Sequence, residues 1–357
     1  MDSDQLDDLM ALLPPLLQSL EALGFLARHL NPPDLGAVLS AIGEPDTDLR
    51  VARPRLDAWP EPLAGARERL AGACDDTLAA FDALRLIRAE GGDMRGLFRA
   101  LRHIPRAQEA LYPLAEGLPP LSRYFLDPAV RQDAELLKRL AEAPPREDAG
   151  VFHLGGEPGA RGAYSLYVPE YYTPDRPWPL VMALHGGSGN GRAFLWSWLR
   201  DARAHGAVVV SPTALGDTWA LSGPDVDTPN LLGVLDEVRG GWSIDPSRLL
   251  LTGMSDGGTF SYISGLEPGS PFTHLAPISA AFHPMLAQMA DTGRITGLPI
   301  HLVHGVLDWM FPVEMAREAF AALSAAGARA TYSELEDLSH TYPREMNPQI
   351  LAWMAAP

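Results

Sequence analysis

The chain has 357 residues, of which 46% are hydrophobic, and a formal charge of −17. That length and apolar content support one or two domains with a sizeable core, and so negative a chain argues against nucleic acid and against an anionic membrane as partners. The single cysteine, Cys74, excludes an internal disulfide and reads as a small packing residue, so nothing calls for an oxidising compartment.

The first residues, Met1-Asp2-Ser3-Asp4, are acidic where a secretory leader would be basic. No apolar run is expected to be long enough to span a bilayer. Both readings make a cytoplasmic location the expectation. From Asp4 to about Ala143 the pattern is helical. Leu6, Leu9, Met10, Leu13, Leu17, Leu20 and Leu23 recur at spacings of three and four, which marks one apolar face. Pro14-Pro15 is expected to kink or split that helix. A longer helix is predicted over 62–90, with Leu70, Cys74, Leu78, Phe81 and Leu84 as its stripe, Arg85 near the stripe's edge, and Gly91-Gly92 as its stop. Further helices are predicted near 94–103, 106–115 and 129–143. His29 and His103 stand alone, and no metal-ligand spacing occurs. This half reads as a helical domain, 1–149, with a lid or association role.

Ala143-Pro144-Pro145-Arg146-Glu147-Asp148-Ala149-Gly150 reads as a linker. From 150 to 357 strands alternate with helices. Strands are predicted at 151–154, 163–168, 180–184, 207–210, 249–252, 275–279, 299–303 and 328–335, the first two antiparallel. Helices are predicted at 190–204, 228–240, from Thr259, at 313–325 and at 345–355. Such alternation implies a mainly parallel sheet with helices on both faces, and sites in such sheets form at the carboxyl ends of strands.

Four strand ends carry chemistry. His185-Gly186-Gly187-Ser188-Gly189 exposes backbone N–H groups; Gly187, then Gly186, together with the N–H of Asp256, would hold an oxyanion. His185 itself reads as a brace for that loop. Gly253-Met254-Ser255-Asp256-Gly257 fits a nucleophile elbow, in which Ser255 sits on a strained turn and Gly253 and Gly257 give strand and helix room to pass. Asp308 follows the strand 299–303, and His304 reads as a buried turn residue. His340 follows the last strand. A serine hydroxyl needs a neutral imidazole to take its proton, and the imidazole needs a carboxylate to fix its tautomer. Asp308 and Asp337 compete for that last role; Asp308 is preferred because it comes from a separate strand end.

The order Ser255, Asp308, His340, with Gly-Met-Ser-Asp-Gly-Gly at 253–258 and His-Gly-x-x-Asp at 304–308, resembles the α/β-hydrolase serine esterases. Within them it resembles the polyhydroxybutyrate-depolymerase, feruloyl-esterase and phospholipase/carboxylesterase group. The resemblance covers about 150–357. It implies an α/β-hydrolase fold behind an all-helical N-terminal domain, a Ser–His–Asp mechanism, no metal and no cofactor. Asp256 departs from that group, where a small, amide or aromatic residue is usual. A carboxylate there opposes an oxyanion unless it is paired or points away.

The function expected is hydrolysis of a carboxylic ester through an acyl-enzyme. A peptidase or amidase with the same triad is the alternative, and a catalytically inactive binding module a third reading. Trp219, Trp309, Met310 and Phe282 are the candidate pocket residues. The expected partners are a small ester substrate and, through the N-terminal helices, a second copy of the chain.

Overall fold

Leucine spacing organises the first of the two units into which the chain divides, Met1–Arg131 and Gln132–Pro357; the computed structural model describes residues 3–90 and 94–356. In the first unit the helix Ser3–Arg28 packs against Leu35–Ile42, Thr47–Ala52, Ala64–Glu90 and His103–Leu111. Leu23, Leu26, Leu30, Leu39, Phe81, Leu84 and Leu97 meet in one buried cluster. The helices Leu35–Ile42, Thr47–Ala52 and Pro119–Tyr124 are short elements that the sequence reading did not mark. The expected glycine stop at Gly91-Gly92 lies outside the described residues.

Three expectations for Ser3–Arg28 need correction. Its buried face comprises Leu9, Leu12, Leu13, Leu16, Leu20, Leu23 and Leu26, whereas Leu6 and Met10 are exposed. Pro14 and Pro15 do not split it. An internal proline costs a helix roughly 3 kcal/mol or more, but each fully buried leucine contributes about 2 kcal/mol, so seven of them outweigh two breaks. The helix is also long and apolar enough, by length and composition, to cross a membrane. A search for an uninterrupted apolar run passes over it because prolines and a few polar residues punctuate it.

Polar contacts account for residues that looked misplaced. Arg85, at the edge of its stripe, donates to the buried Asp46 at 2.7 Å, and Arg50 donates to the other carboxylate oxygen at 2.9 Å. His103 is paired with Asp76 at 2.6 Å. Cys74 packs as expected, and burial pushes its thiol up to about 12.

The second unit begins earlier than the proline-rich stretch suggested. Helix Ala134–Ala141, capped by Asp133, belongs to it. Arg139 lies 5.2 Å over the ring of Tyr171, and Trp242 Nε1 donates to the Asp148 carbonyl at 2.8 Å. The 142–149 stretch is therefore packed chain, not a free tether.

Eight strands form one sheet: β1 (Gly150–Leu154), β2 (Tyr164–Val168), β3 (Trp178–Leu184), β4 (Val208–Pro212), β5 (Ile244–Met254), β6 (His274–Ile278), β7 (Pro299–Gly305) and β8 (Arg329–Leu335). Their order is β1-β2-β4-β3-β5-β6-β7-β8. β2 is antiparallel to both neighbours and every other pair beyond it is parallel. Val208, Val209, Val210, Leu249, Leu250 and Leu251 are fully buried, as continuous apolar runs covered on both faces must be. Parallel order places the ends of β3, β5, β6, β7 and β8 along one edge.

Removing one partner of a buried ion pair leaves a desolvated charge. Arg50→Ala combined with Arg85→Ala is therefore expected to destabilise the first unit by about 3 kcal/mol, measured by urea unfolding followed by circular dichroism. A change under about 0.5 kcal/mol, the surface range, would mean that Asp46 does not depend on them.

Candidate active site

The turn between β5 and the helix Asp256–Leu266 holds Ser255 at φ 56, ψ −120. A left-handed φ is costly for a side-chain-bearing residue, and close packing enforces it. A Cβ on Gly253 would lie 2.5 Å from Gly257 C, and one on Gly257 would lie 2.4 Å from the Leu184 carbonyl oxygen. The Ser255 N–H donates to Ile278 O at 3.0 Å, which anchors the turn to β6. The helix starts at Asp256, three residues before the expected Thr259.

Ser255 Oγ lies 2.9 Å from His340 Nε2, and His340 Nδ1 lies 2.8 Å from Asp308 Oδ2. All three residues are buried. A carboxylate only accepts, so Nδ1 carries the proton and Nε2 is left as the acceptor for the serine hydroxyl. Asp308 Oδ1 accepts the N–H groups of Met310 at 2.9 Å and Phe311 at 2.8 Å. Burial pushes the Asp308 carboxyl up. The hydrogen bonds from His340 and these two N–H groups outweigh it and hold the group below the usual carboxylate range. His304 is buried and hydrogen-bonded as expected but lies in strand β7 rather than in a turn: its Nε2 donates to Phe311 O at 2.9 Å and stands 3.6 Å from Asp308 Oδ2. Asp337 is exposed and makes no hydrogen bond to His340.

The loops carrying Asp308 and His340 are joined. Val306 N donates to Leu335 O and Leu307 N to Leu338 O, at 2.9 and 3.0 Å. A Cβ on Gly305 would lie 2.0 Å from Leu338 O, so only glycine lets the loops cross.

The β3 loop turns tightly, with Gly189 N donating to Gly186 O at 3.1 Å. A Cβ on Gly186 would lie 3.7 Å from Ser255 Cβ, which sets the loop over the nucleophile. Among the described residues the N–H groups of Gly186, Gly187 and Asp256 meet no acceptor. His185 braces this loop through both ring nitrogens: Nδ1 donates to Gly186 O at 2.7 Å, and Nε2 accepts from Ala214 N at 3.1 Å. Burial lowers its pKa to about 4, so the ring stays neutral in this double role.

The four pocket candidates separate. Trp219 is 2% exposed, stacks on Phe260 at 5.5 Å and donates from Nε1 to His185 O at 2.7 Å. It is packing beneath the loop rather than a pocket wall. Phe282 is also buried, edge-on to Tyr262 at 5.0 Å. Trp309 and Met310 are 46% and 48% exposed, and the Trp309 ring lies 6.1 Å from that of His340. Phe311, unmarked in the sequence, lies edge-on to His340 at 5.3 Å. No spacing rule singles it out; it follows Asp308 simply because the loop turns there. Thr218 was likewise missed, and its hydroxyl donates to Asp256 Oδ2 at 2.5 Å.

Strand order, elbow and the order of the Ser, Asp and His loops decide the architecture. The second unit has the α/β-hydrolase fold. Residues 232–355 match the phospholipase/carboxylesterase family. A bifunctional acetylxylan esterase/xylanase of Neocallimastix patriciarum is 28% identical over 197 residues, 52% of this chain and 28% of that protein. Feruloyl esterase C of Emericella nidulans is 27% identical over 160 residues, 42% of this chain and 56% of that protein. The chain thus spans about half, or less, of the length of these curated relatives. Among solved structures, a thermostable esterase is 24% identical with a TM-score of 0.48, over 58% of this chain and 62% of that one.

His185 also sets a pH dependence. Its folded pKa of about 4 lies below the ordinary value of 6.5. Between these values the unfolded chain binds the extra proton, so stability falls as pH drops through that window, by at most about 1.4 kcal/mol per pH unit. His274, lowered by burial to about 4, and His301, also lowered by burial, act in the same direction. His185→Gln should make the fall between pH 6.5 and 4.5 shallower in urea unfolding. An identical slope would show that His185 takes up its proton in the folded state.

Proposed function

We propose that the hydrolase unit cleaves carboxylic esters through an acyl-enzyme on Ser255. The reading is carried by the unbroken chain Asp308–His340–Ser255, with links of 2.8 and 2.9 Å, at the ends of three strands. The esterase names of the matched relatives support the substrate class.

Ser255 Oγ attacks the ester carbonyl carbon while its proton passes to His340 Nε2. The Asp308 carboxylate accepts the hydrogen bond from Nδ1–H throughout and stabilises the imidazolium. The N–H groups of Asp256 and Gly187 receive the oxyanion, each donor worth about 10²- to 10³-fold in rate. Collapse breaks the bond to the alkoxide, which takes the proton from Nε2. Water then gives a proton to Nε2 and attacks the acyl carbon; the second collapse breaks the acyl bond to Ser255 Oγ, which takes that proton back from Nε2, and the acid leaves. Trp309 and Met310, exposed near the imidazole, would contact the substrate's apolar part.

Wild type is expected to react with a fluorophosphonate and to hydrolyse 4-nitrophenyl esters. Ser255→Ala should lose the label and about 10⁴-fold or more in kcat. Retention of a tenth of the turnover would exclude the serine mechanism.

Asp308→Asn should lose about 10⁴-fold in kcat, while Asp337→Asn keeps wild-type rates. The reverse ranking would reassign the acid. Because Asp308 is held below the usual carboxylate range, it stays ionised throughout that range and above it. The acid limb of log kcat/KM against pH should therefore fall with a slope of about one, from a single proton. A slope near two would mean that the carboxylate titrates with the base.

A further inference from the structure

The triad leaves one charged group at the site unaccounted for. Asp256 directly follows the nucleophile and is half-buried. Its Oδ2 accepts the Thr218 hydroxyl at 2.5 Å, and a Cβ on Gly187 would come within 2.7 Å of that same oxygen. The carboxylate therefore lies against the glycine loop over Ser255. Among the described residues no arginine, lysine or histidine forms an ion pair with it, and Oδ1 has no hydrogen-bond partner. Oδ1 is not among the side-chain atoms sealed from solvent. A hydroxyl donor fixes the direction of a carboxylate without cancelling its charge.

Bracing alone does not require this charge. An asparagine oxygen would accept the same Thr218 hydroxyl, tying the 213–226 loop to the helix Asp256–Leu266 equally well. What the ionised group adds is a negative potential beside the reacting carbonyl. That potential opposes the developing oxyanion of every substrate, so it is useful only where substrate charge compensates it.

We propose that Asp256 is a specificity-determining residue that selects esters bearing a positive charge near the scissile bond and rejects those bearing a negative one. This rests on the ester-hydrolase reading above. Thr218 is then a positioning residue, holding the carboxylate through Oδ2. A unit charge a few ångströms away in a partly solvated site changes a rate by roughly 10-fold for either sign of substrate charge.

The test compares substrates of similar size and different charge in a pH-stat assay. On the alcohol side these are choline butyrate, its neutral isostere 3,3-dimethylbutyl butyrate, and 2-sulfoethyl butyrate. On the acyl side they are ethyl esters of 4-(trimethylammonio)butyrate, hexanoate and 4-sulfobutyrate. Comparing variant with wild type on each ester cancels intrinsic reactivity. On at least one side, Asp256→Asn should lower the cation-to-anion ratio of kcat/KM by about 100-fold, the product of the two 10-fold effects. The same variant should raise kcat/KM a few-fold on the neutral ester. Thr218→Val should keep most of the charge preference, because the carboxylate remains. If Asp256→Asn scales all three esters by one common factor on both sides, the residue only braces the site and the proposal fails. If the neutral ester is not hydrolysed, or is still hydrolysed by Ser255→Ala, the hydrolase reading fails first and this inference with it.

Discussion

The contact between the Gly257 backbone and the Leu184 carbonyl governs the second unit. With 2.4 Å between that oxygen and the position of an absent Cβ, β3 and the helix Asp256–Leu266 approach too closely for any side chain between them. This approach forces the sharp reversal after β5 and puts Ser255 into its left-handed conformation. It also brings the β3 loop over Ser255, near the N–H group of Asp256. One steric requirement thus produces both the raised hydroxyl and its surroundings.

Histidine is used in two opposite ways around this turn. His185, His274 and His301 are buried with their proton affinity depressed, and they serve as neutral hydrogen-bonding or packing rings. His340 instead stands between a hydroxyl and a carboxylate held ionised by three hydrogen bonds. The difference lies in the partners. His185 meets backbone groups and His274 and His301 meet side-chain hydroxyls, whereas His340 meets a carboxylate at Nδ1.

Much of the second unit was legible because its signals are local. Apolar runs bounded by glycine marked the strands, and the glycines at Gly253 and Gly257 marked the close approach. The order of Ser255, Asp308 and His340 survived folding as the order of strand ends. What was illegible depends on distant partners. Arg85 looks misplaced on its helix until Asp46 arrives from another one. Trp219 lies in a loop, which suggests a pocket wall, yet its indole N–H is drawn inward by the His185 carbonyl. The phase of Ser3–Arg28 was ambiguous because leucines occupy more than one face; tertiary packing chose Leu12 and Leu16 over Leu6 and Met10. Nothing in the spacing of Thr218 and Asp256 announces that they meet.

The backbone bonds that join the loops after β7 and β8 divide the site mechanically. Asp308 and His340 ride on one body, stitched by Val306 to Leu335 and Leu307 to Leu338, while Ser255 rides on another, pinned through Ile278 to β6. The contact between imidazole and carboxylate therefore depends only on the bonds between two neighbouring loops, whereas the contact between hydroxyl and imidazole also depends on the register from β5 through β6 to β7.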